Sequence, residues 1–403
     1  METIIHNSLK NHPAIKQADD ILRSCVHCGF CNATCPTYQL LGDELDGPRG
    51  RIYLIKQLVE SGSCTEQTRD HLDRCLTCRN CETTCPSGVN YSRLLTIGRE
   101  LSEKHQPRKI YDRALRKLLR LVIPHRQRIS LVVRIASLLK PVLPAATQRQ
   151  LPSKKRTTAP LSKHQRLVII PKGCAQDAFA ADINADCEII LDKLGIGSIE
   201  IDADSCCGAM SEHMSEAAEA EMFMKKNIDA WWPSIEAGAE AIVSTASACA
   251  VMIKDYGHLL ANDPEYAEKA MRVSELCLDI SELLEKEDLS LFKNTQSKKI
   301  SFHAPCTLQH GQKITGKVEK LLAKIGYDLV DYNDAHLCCG SAGTYSILQN
   351  KISKQLLANK LDNLLASKPD IIATANIGCL LHMRSGTATP VKHWLQLINP
   401  SKD

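Results

Sequence analysis

Hydrophobic positions along the chain keep a helical period through the first part and then give way to short apolar runs. In GPRGRIYLIKQLVESG, residues Ile52, Leu54, Ile55, Leu58 and Val59 recur near i, i+3, i+4 and i+7, which predicts an amphipathic helix from Arg49 onward. In KIYDRALRKLLRLVI, Ile110, Ala114, Leu118, Leu121 and Val122 share one helical face, with Arg113, Arg116, Lys117 and Arg120 around it. Pro124 breaks this pattern, and ISLVVRIASLLKPVL then repeats it. From Arg166 the texture becomes short apolar runs, at 167–171, 199–201 and 241–244, separated by helical stretches such as DCEIILDKLG and SEAAEAEMFMKKNIDAWW. The same succession returns at 299–303, 327–331 and 370–374. Strands alternating with helices imply two α/β units with parallel sheets, preceded by a region that reads as helical.

With 403 residues the chain has room for two or three domains with their own cores. Its net charge of +4 conceals a segregation. Between Lys104 and Arg166, seventeen Lys and Arg stand against a single acid, Asp112, so this segment carries +16 and the remainder −12. The segment closes in the polar stretch PSKKRTTAPLSKHQR, which reads as a linker. Basic amphipathic helices suit anionic lipid headgroups or an acidic partner, and the plainer alternative is a pair of helices packed on the domain. Nucleic acid fits poorly, because aromatics make up 4% of the chain and none interleave with the charges as a stacking surface requires. No apolar run approaches the roughly twenty residues of a spanning helix. The start METIIHNSLKNHPAIKQADD has no apolar signal region, so the nineteen cysteines are expected to be cytosolic, reduced and free to hold metal.

Those cysteines carry the chemistry. Cys25, Cys28, Cys31 and Cys35 in CVHCGFCNATCP recur in the same frame as Cys75, Cys78, Cys81 and Cys85 in CLTCRNCETTCP. Three thiolates at this spacing wrap one [4Fe-4S] cube, while the fourth, before proline, reaches the other cube. Cluster one then takes Cys25, Cys28, Cys31 and Cys85, and cluster two takes Cys75, Cys78, Cys81 and Cys35. Paired CxxC units also describe structural zinc, but zinc does not require the repeated terminal Cys-Pro. The helix expected between the two ladders favours an α-helical ferredoxin over a compact βαβ one.

The second half repeats itself around further cysteines. RLVIIPKGC ends at Cys174 and KKISFHAPC ends at Cys306. Thirty-two residues later each copy has a vicinal pair and a glycine: Cys206, Cys207 and Gly208 in DSCCGAM, then Cys338, Cys339 and Gly340 in HLCCGSAG. Cys249 follows Cys207 by 42 residues, and Cys379 follows Cys339 by 40. Parallel sheets place ligands at the carboxyl ends of their strands, and each repeated cysteine falls just after a strand. Four thiols per unit therefore converge on a metal or cluster site. A lone cysteine is ordinarily a small buried hydrophobe, and Cys64, Cys187 and Cys277 are read that way.

Two CxxCxxCxxxCP strings, GPRGRIYLIK between them, and two CCG modules behind them resemble the iron-sulfur subunits of glycolate oxidase (glycolate dehydrogenase). The iron-sulfur subunits of lactate utilisation and anaerobic glycerol-3-phosphate dehydrogenase systems, and heterodisulfide reductase, share the pattern less closely. The resemblance implies an α+β multidomain chain: an α-helical ferredoxin domain at 1–103 with two [4Fe-4S] clusters, basic helices and a linker at 104–165, and α/β cysteine-rich (CCG) modules at 166–297 and 298–403. It also implies that a separate FAD-containing subunit oxidises glycolate to glyoxylate. This chain would then carry electrons toward a quinone or another acceptor, from the cytoplasm and peripherally at the inner face of the cell membrane. Alternative readings are a subunit serving lactate or glycerol-3-phosphate oxidation, or a thiol/disulfide oxidoreductase subunit. The chain has no GxGxxG after a strand, which agrees with a flavin held elsewhere.

One departure concerns the modules. In heterodisulfide reductase-like modules the last cysteine belongs to a CxxC that helps hold a noncubane cluster. Here the third residue after Cys249 is Met252, and the third after Cys379 is His382. The first site thus offers Cys174, Cys206, Cys207 and Cys249. The second offers Cys306, Cys338, Cys339 and Cys379, with His382 as a candidate fifth ligand. An additional iron-sulfur cluster, zinc and an empty site all remain open for each.

Overall fold

The computed structural model describes residues 1–152, 162–202, 205–294 and 298–398. Most of the expected linker therefore lies outside the described residues, as does position 297, where one domain was expected to end.

The N-terminal region is helical throughout. Helices Ile15–Ser24, Pro48–Ser61, Glu66–Asp73 and Tyr91–His105 enclose a core of Leu22, Ile55, Leu58, Leu72, Leu94, Leu95 and Leu101. Local chemistry sets where these helices begin. Pro48 occupies the first turn of its helix, where its missing N–H is not needed. The Thr65 side chain accepts from Thr68 N, and that of Asn90 accepts from Arg93 N.

The basic segment forms helices Ile110–Val122 and Arg126–Leu138. The second packs on helix Cys174–Ala180 and buries Ile129 and Val133. The first buries no residue at all, and Ile110 is 78% exposed. Arg116 and Arg120, not its apolar face, point at the body. Arg116 pairs with Asp73 at 3.4 Å, and Arg120 pairs with Glu216 at 2.7 Å and Glu219 at 3.1 Å. Arg108, just before the helix, is buried and reaches Asp73 at 2.6 Å. A conventionally packed amphipathic helix would show the opposite arrangement.

The remainder contains two four-stranded parallel sheets of identical topology. Strands β1 (Arg166–Ile169), β2 (Ile196–Ile199), β3 (Ala241–Ser244) and β4 (Cys277–Asp279) lie in the order β2-β1-β3-β4. Strands β5 (Lys299–His303), β6 (Asp328–Leu329), β7 (Ile371–Thr374) and β8 (Val391–His393) lie in the order β6-β5-β7-β8. The central strands β3 and β7 are buried at every position, as expected of parallel strands covered on both faces. The edge strands β4 and β8 were not expected from the sequence. Their residues, CLD and VKH, are too short and too mixed to form an apolar run. The second strand lies at 196–199, not at 199–201.

The two sheets share one core, in which Val168, Ile190 and Leu284 join Ile300, Leu322, Leu364 and Trp394. Polar contacts join the strand ends across the pseudo-repeat. Ser247 N donates to Ala375 O at 3.2 Å, Ala248 N donates to Asn376 Oδ1 at 3.3 Å, and the Ser247 and Thr307 hydroxyls lie 2.7 Å apart. The carboxyl ends of β3 and β7, where the cysteines gather, therefore meet at the middle of the pair. Among the described residues, no helix is long and apolar enough to cross a membrane.

Candidate metal centres

The two N-terminal ladders share their backbone as well as their spacing. His27 and Thr77 occupy the same position in the two loops and have φ of 58° and 52°; Gly29 and Arg79 do likewise, at 84° and 59°. Each loop enters a short helix, Phe30–Ala33 or Asn80–Thr84, and ends on Cys35 or Cys85 in extended conformation before a proline. Left-handed residues in such turns direct backbone N–H groups inward and form a cradle for an anionic group. Thr77 N already donates to Cys75 Sγ at 3.4 Å.

The thiols group across the ladders. Cys25, Cys28, Cys31 and Cys85 line one cavity, and Cys35, Cys75 and Cys78 line a second, with Cys81 bordering both. Burial pushes the Cys31 thiol up to about 11, reinforced by Cys25, Cys85 and Cys28. Burial likewise raises Cys81, with Cys78, Cys75 and Cys35 adding to it. Thiolates this close repel one another when ionised, and bound iron removes the conflict, so the donor set fits a [4Fe-4S] cluster at each cavity.

A buried cation stands behind the second cavity. Arg51 is fully buried in helix Pro48–Ser61. Its Nε donates to His71 O at 2.7 Å, its terminal nitrogens donate to Thr37 Oγ1 at 3.2 Å, and Asp46 lies at 3.5 Å. Burial opposes its charge, but Cys75, Tyr91, Cys35 and Asp46 outweigh burial and hold it protonated. Thr37 Oγ1 also lies 3.2 Å from Cys35 Sγ. Sequence reasoning did not assign Arg51 a role; the signal was a lone cation in the apolar register of a helix, beside Ile52. Arg99 fixes the same loop from the other side, donating to the carbonyls of Leu72 and Cys75 at 2.8 Å.

The CCG modules also gather their cysteines. In the first, Cys174 Sγ lies 3.7 Å from Cys206 Sγ, and donation from Cys206 and Cys249 pulls the Cys207 thiol well below the usual range. Asn227 donates to Cys206 O at 3.0 Å and Tyr256 to Cys207 O at 2.9 Å, while Trp231 stacks on the Tyr256 ring. In the second, Cys306 and Cys338 lie 3.8 Å apart, and Cys339 and Cys379 lie 3.3 Å apart. Gly340, at φ 88°, adopts a conformation that L side chains avoid, and a Cβ there would meet Ser353 O at 2.7 Å. The Ser353 hydroxyl donates to Gly340 O at 2.7 Å and lies 3.1 Å from His382 Nε2, so His382 braces the turn through Ser353. A different imidazole stands with the thiols. His303, not singled out from the sequence, places a ring nitrogen within 4.8 Å of the sulfurs of Cys339 and Cys379. Burial holds its pKa well below the usual histidine range, so the ring is neutral.

The second module abuts the second ladder. Leu76, Cys338, Tyr345, Ile352 and Leu356 form one apolar cluster, with Cys78 and Cys306 packed against it. Tyr345 donates to Arg74 O at 3.0 Å, Asn80 donates to His336 O at 3.1 Å, and Thr83 Oγ1 meets His310 Nδ1 at 3.0 Å. The first module meets the same ladder through an ion pair, Arg79–Asp255 at 2.5 Å. The first ladder instead looks outward. Cys28 is exposed, as are Val26 and Phe30 beside it.

Comparisons with known proteins agree with this layout. A model described as "4Fe-4S dicluster domain" matches residues 21–89, and one described as "Cysteine-rich domain" matches residues 168–254 and 300–384. The chain is 48% identical over 400 residues to the glycolate oxidase iron-sulfur subunit of Escherichia coli (strain K12), covering 99% of this chain and 98% of that one. It is 28% identical over 239 residues to lactate utilization protein A of Geobacillus thermodenitrificans (strain NG80-2), covering 56% of this chain and 95% of that one. A crystal structure of a hypothetical protein from Helicobacter pylori matches with a TM-score of 0.53 at 10% identity, covering 96% of this chain and 72% of that one, a likeness of fold alone.

Proposed function

The chain belongs to the family of glycolate oxidase iron-sulfur subunits, and from that premise we propose that it takes electrons from an FAD-containing partner oxidising glycolate to glyoxylate and delivers them toward a quinone. Held by Cys25, Cys28, Cys31 and Cys85 and by Cys35, Cys75, Cys78 and Cys81, two [4Fe-4S] clusters would supply one-electron steps between two-electron flavin and quinone. The observation that carries the reading is the packing of Cys78 beside Cys306 and Cys338, which brings a ladder and a module into direct contact. Arg51 offsets negative charge at the buried ladder, and Tyr91 donates to Cys75 Sγ at 3.8 Å. At the opposite end, exposed Val26 and Phe30 offer the flavoprotein an apolar landing beside Cys28.

Docking at the inner face of the cell membrane is part of the same proposal. Ile110, Leu118, Leu131, Leu138 and Val142 are exposed, and so are Arg113, Lys117, Arg128, Arg134 and Lys140 around them. Apolar side chains flanked by cations suit an anionic lipid surface.

Anaerobic purification with the flavoprotein tests the redox part. We expect about eight irons per chain from the two clusters, and a visible band that glycolate bleaches more rapidly than lactate. A colourless zinc protein would defeat the electron-transfer reading, and preferential bleaching by lactate would defeat the substrate assignment. For the membrane part, Leu118→Asp with Leu138→Asp should release the chain from anionic vesicles without unfolding it. Unchanged co-sedimentation of that variant rules the docking face out.

A further inference from the structure

The second module contains an imidazole that its hydrogen bonds do not account for. His303 is the last residue of β5, paired in register with Thr374 of β7, and is 0% exposed. Among the described residues, neither Nδ1 nor Nε2 has a hydrogen-bond partner. An orphaned buried polar group costs on the order of 1–3 kcal/mol, so a ring with two of them calls for an explanation in the fold or in a ligand. Its surroundings supply the ligand. A nitrogen of His303 and the sulfurs of Cys339 and Cys379 lie within 4.8 Å of one another, and Cys338 and Cys306 continue the row of thiols. His382, the candidate ligand offered by the sequence, is engaged with Ser353.

The first module has no such group at the matching position. Three residues before Cys306 stands His303; three residues before Cys174 stands Pro171, which has no side-chain donor. Strand, turn and cysteines repeat, but the nitrogen does not.

We propose that His303 is a nitrogen ligand of the metal centre in the second module, joining Cys306, Cys338, Cys339 and Cys379, so that this centre is sulfur and nitrogen bound whereas the first is bound by sulfur alone. The inference rests on the reading of the modules as iron-sulfur sites. As a fifth donor, neutral imidazole adds no negative charge where a fifth thiolate would, and so leaves the centre at a higher potential than five sulfurs would, in the sense seen at iron-sulfur centres where histidine replaces cysteine.

Pulsed EPR on the full chain, purified anaerobically and reconstituted with iron and sulfide, provides the test. Wild-type protein should show a strongly coupled ¹⁴N that becomes ¹⁵N when histidine alone is labelled. His303→Ala should lose that coupling and the iron of the module, and keep about eight irons at the N-terminal cysteines. His303→Cys should recover the iron of the module but not the coupling, which separates ligation from a packing role. His382→Ala should keep both. A wild-type spectrum indifferent to histidine labelling, or coupling that survives in His303→Ala or His303→Cys, overturns the assignment while the N-terminal clusters stand. Absence of iron at the N-terminal cysteines overturns the wider reading and this inference together.

Discussion

The two cysteine-rich modules have the same strand order, nearly the same cysteine spacing and one common core, yet they face different surroundings. The second lies against the second ladder, with Cys306 and Cys338 packed near Cys78 and Tyr345 anchored on Arg74 O. The first meets that ladder through the Arg79–Asp255 ion pair, and its cysteines are backed by Asn227, Tyr256 and Trp231. Only the second carries His303; the first has Pro171 there. A duplicated scaffold has thus kept its thiols and changed their neighbours, and neighbours decide what a thiol site does. The difference suggests that one copy is wired to the electron path and the other is set beside it.

Substitutions at matched positions test that division most directly. Cys338→Ser should slow glycolate-driven acceptor reduction on the order of tenfold or more, while Cys206→Ser costs well under that factor, a gap of about 1.4 kcal/mol in barrier. Equal losses in a steady-state assay would erase the distinction. The glycines differ by packing. Gly340→Ala would drive a Cβ toward Ser353 O at 2.7 Å and Leu356 Cβ at 2.9 Å, whereas the nearest atom at Gly208 is Ala220 O at 3.1 Å. Chemical denaturation should show a loss of roughly 2–4 kcal/mol at 340 against about 1–2 kcal/mol at 208, where left-handed strain dominates. Asn227→Ala leaves buried polar groups of the first module unpaired and should cost about 1–3 kcal/mol, with no change in the EPR of the N-terminal clusters. Smallest of all, Asp255→Ala removes a partly exposed pair and should shift stability by less than ~1 kcal/mol. A larger effect there would mean that the first module is tied to the ladder more tightly than its contacts indicate.

Much of this was legible in the residues. The helix of Ile52, Ile55, Leu58 and Val59 and the central strands at 241–244 and 371–374 follow from apolar periodicity, because each buries a face or a whole strand. The edge strands β4 and β8 escaped because three residues with polar neighbours carry no period. The orientation of helix Ile110–Val122 escaped for a different reason. Periodicity locates an apolar face but does not say what lies opposite it, and here Glu216 and Glu219, distant in sequence, capture Arg120. At the sites, repeated spacing found the cysteines, since spacing is a property of the chain. His303 was within reach: comparing the copies residue by residue sets it against Pro171. For Arg51 the helix register marks a buried cation but not its role, which depends on Cys35 and Cys75 arriving from separate loops.

The outward-facing rim of the first ladder has a consequence for how the protein ages. Of the nineteen cysteines, Cys28 is the exposed one, whereas the thiols of the second ladder lie deeper, against the second module. Dissolved oxygen and peroxide therefore reach one end of the array first, and susceptibility to oxidation follows such exposure. The opening proposed to admit a redox partner is also the place where oxidative damage begins, and a molecule without its partner bound would be the more perishable form.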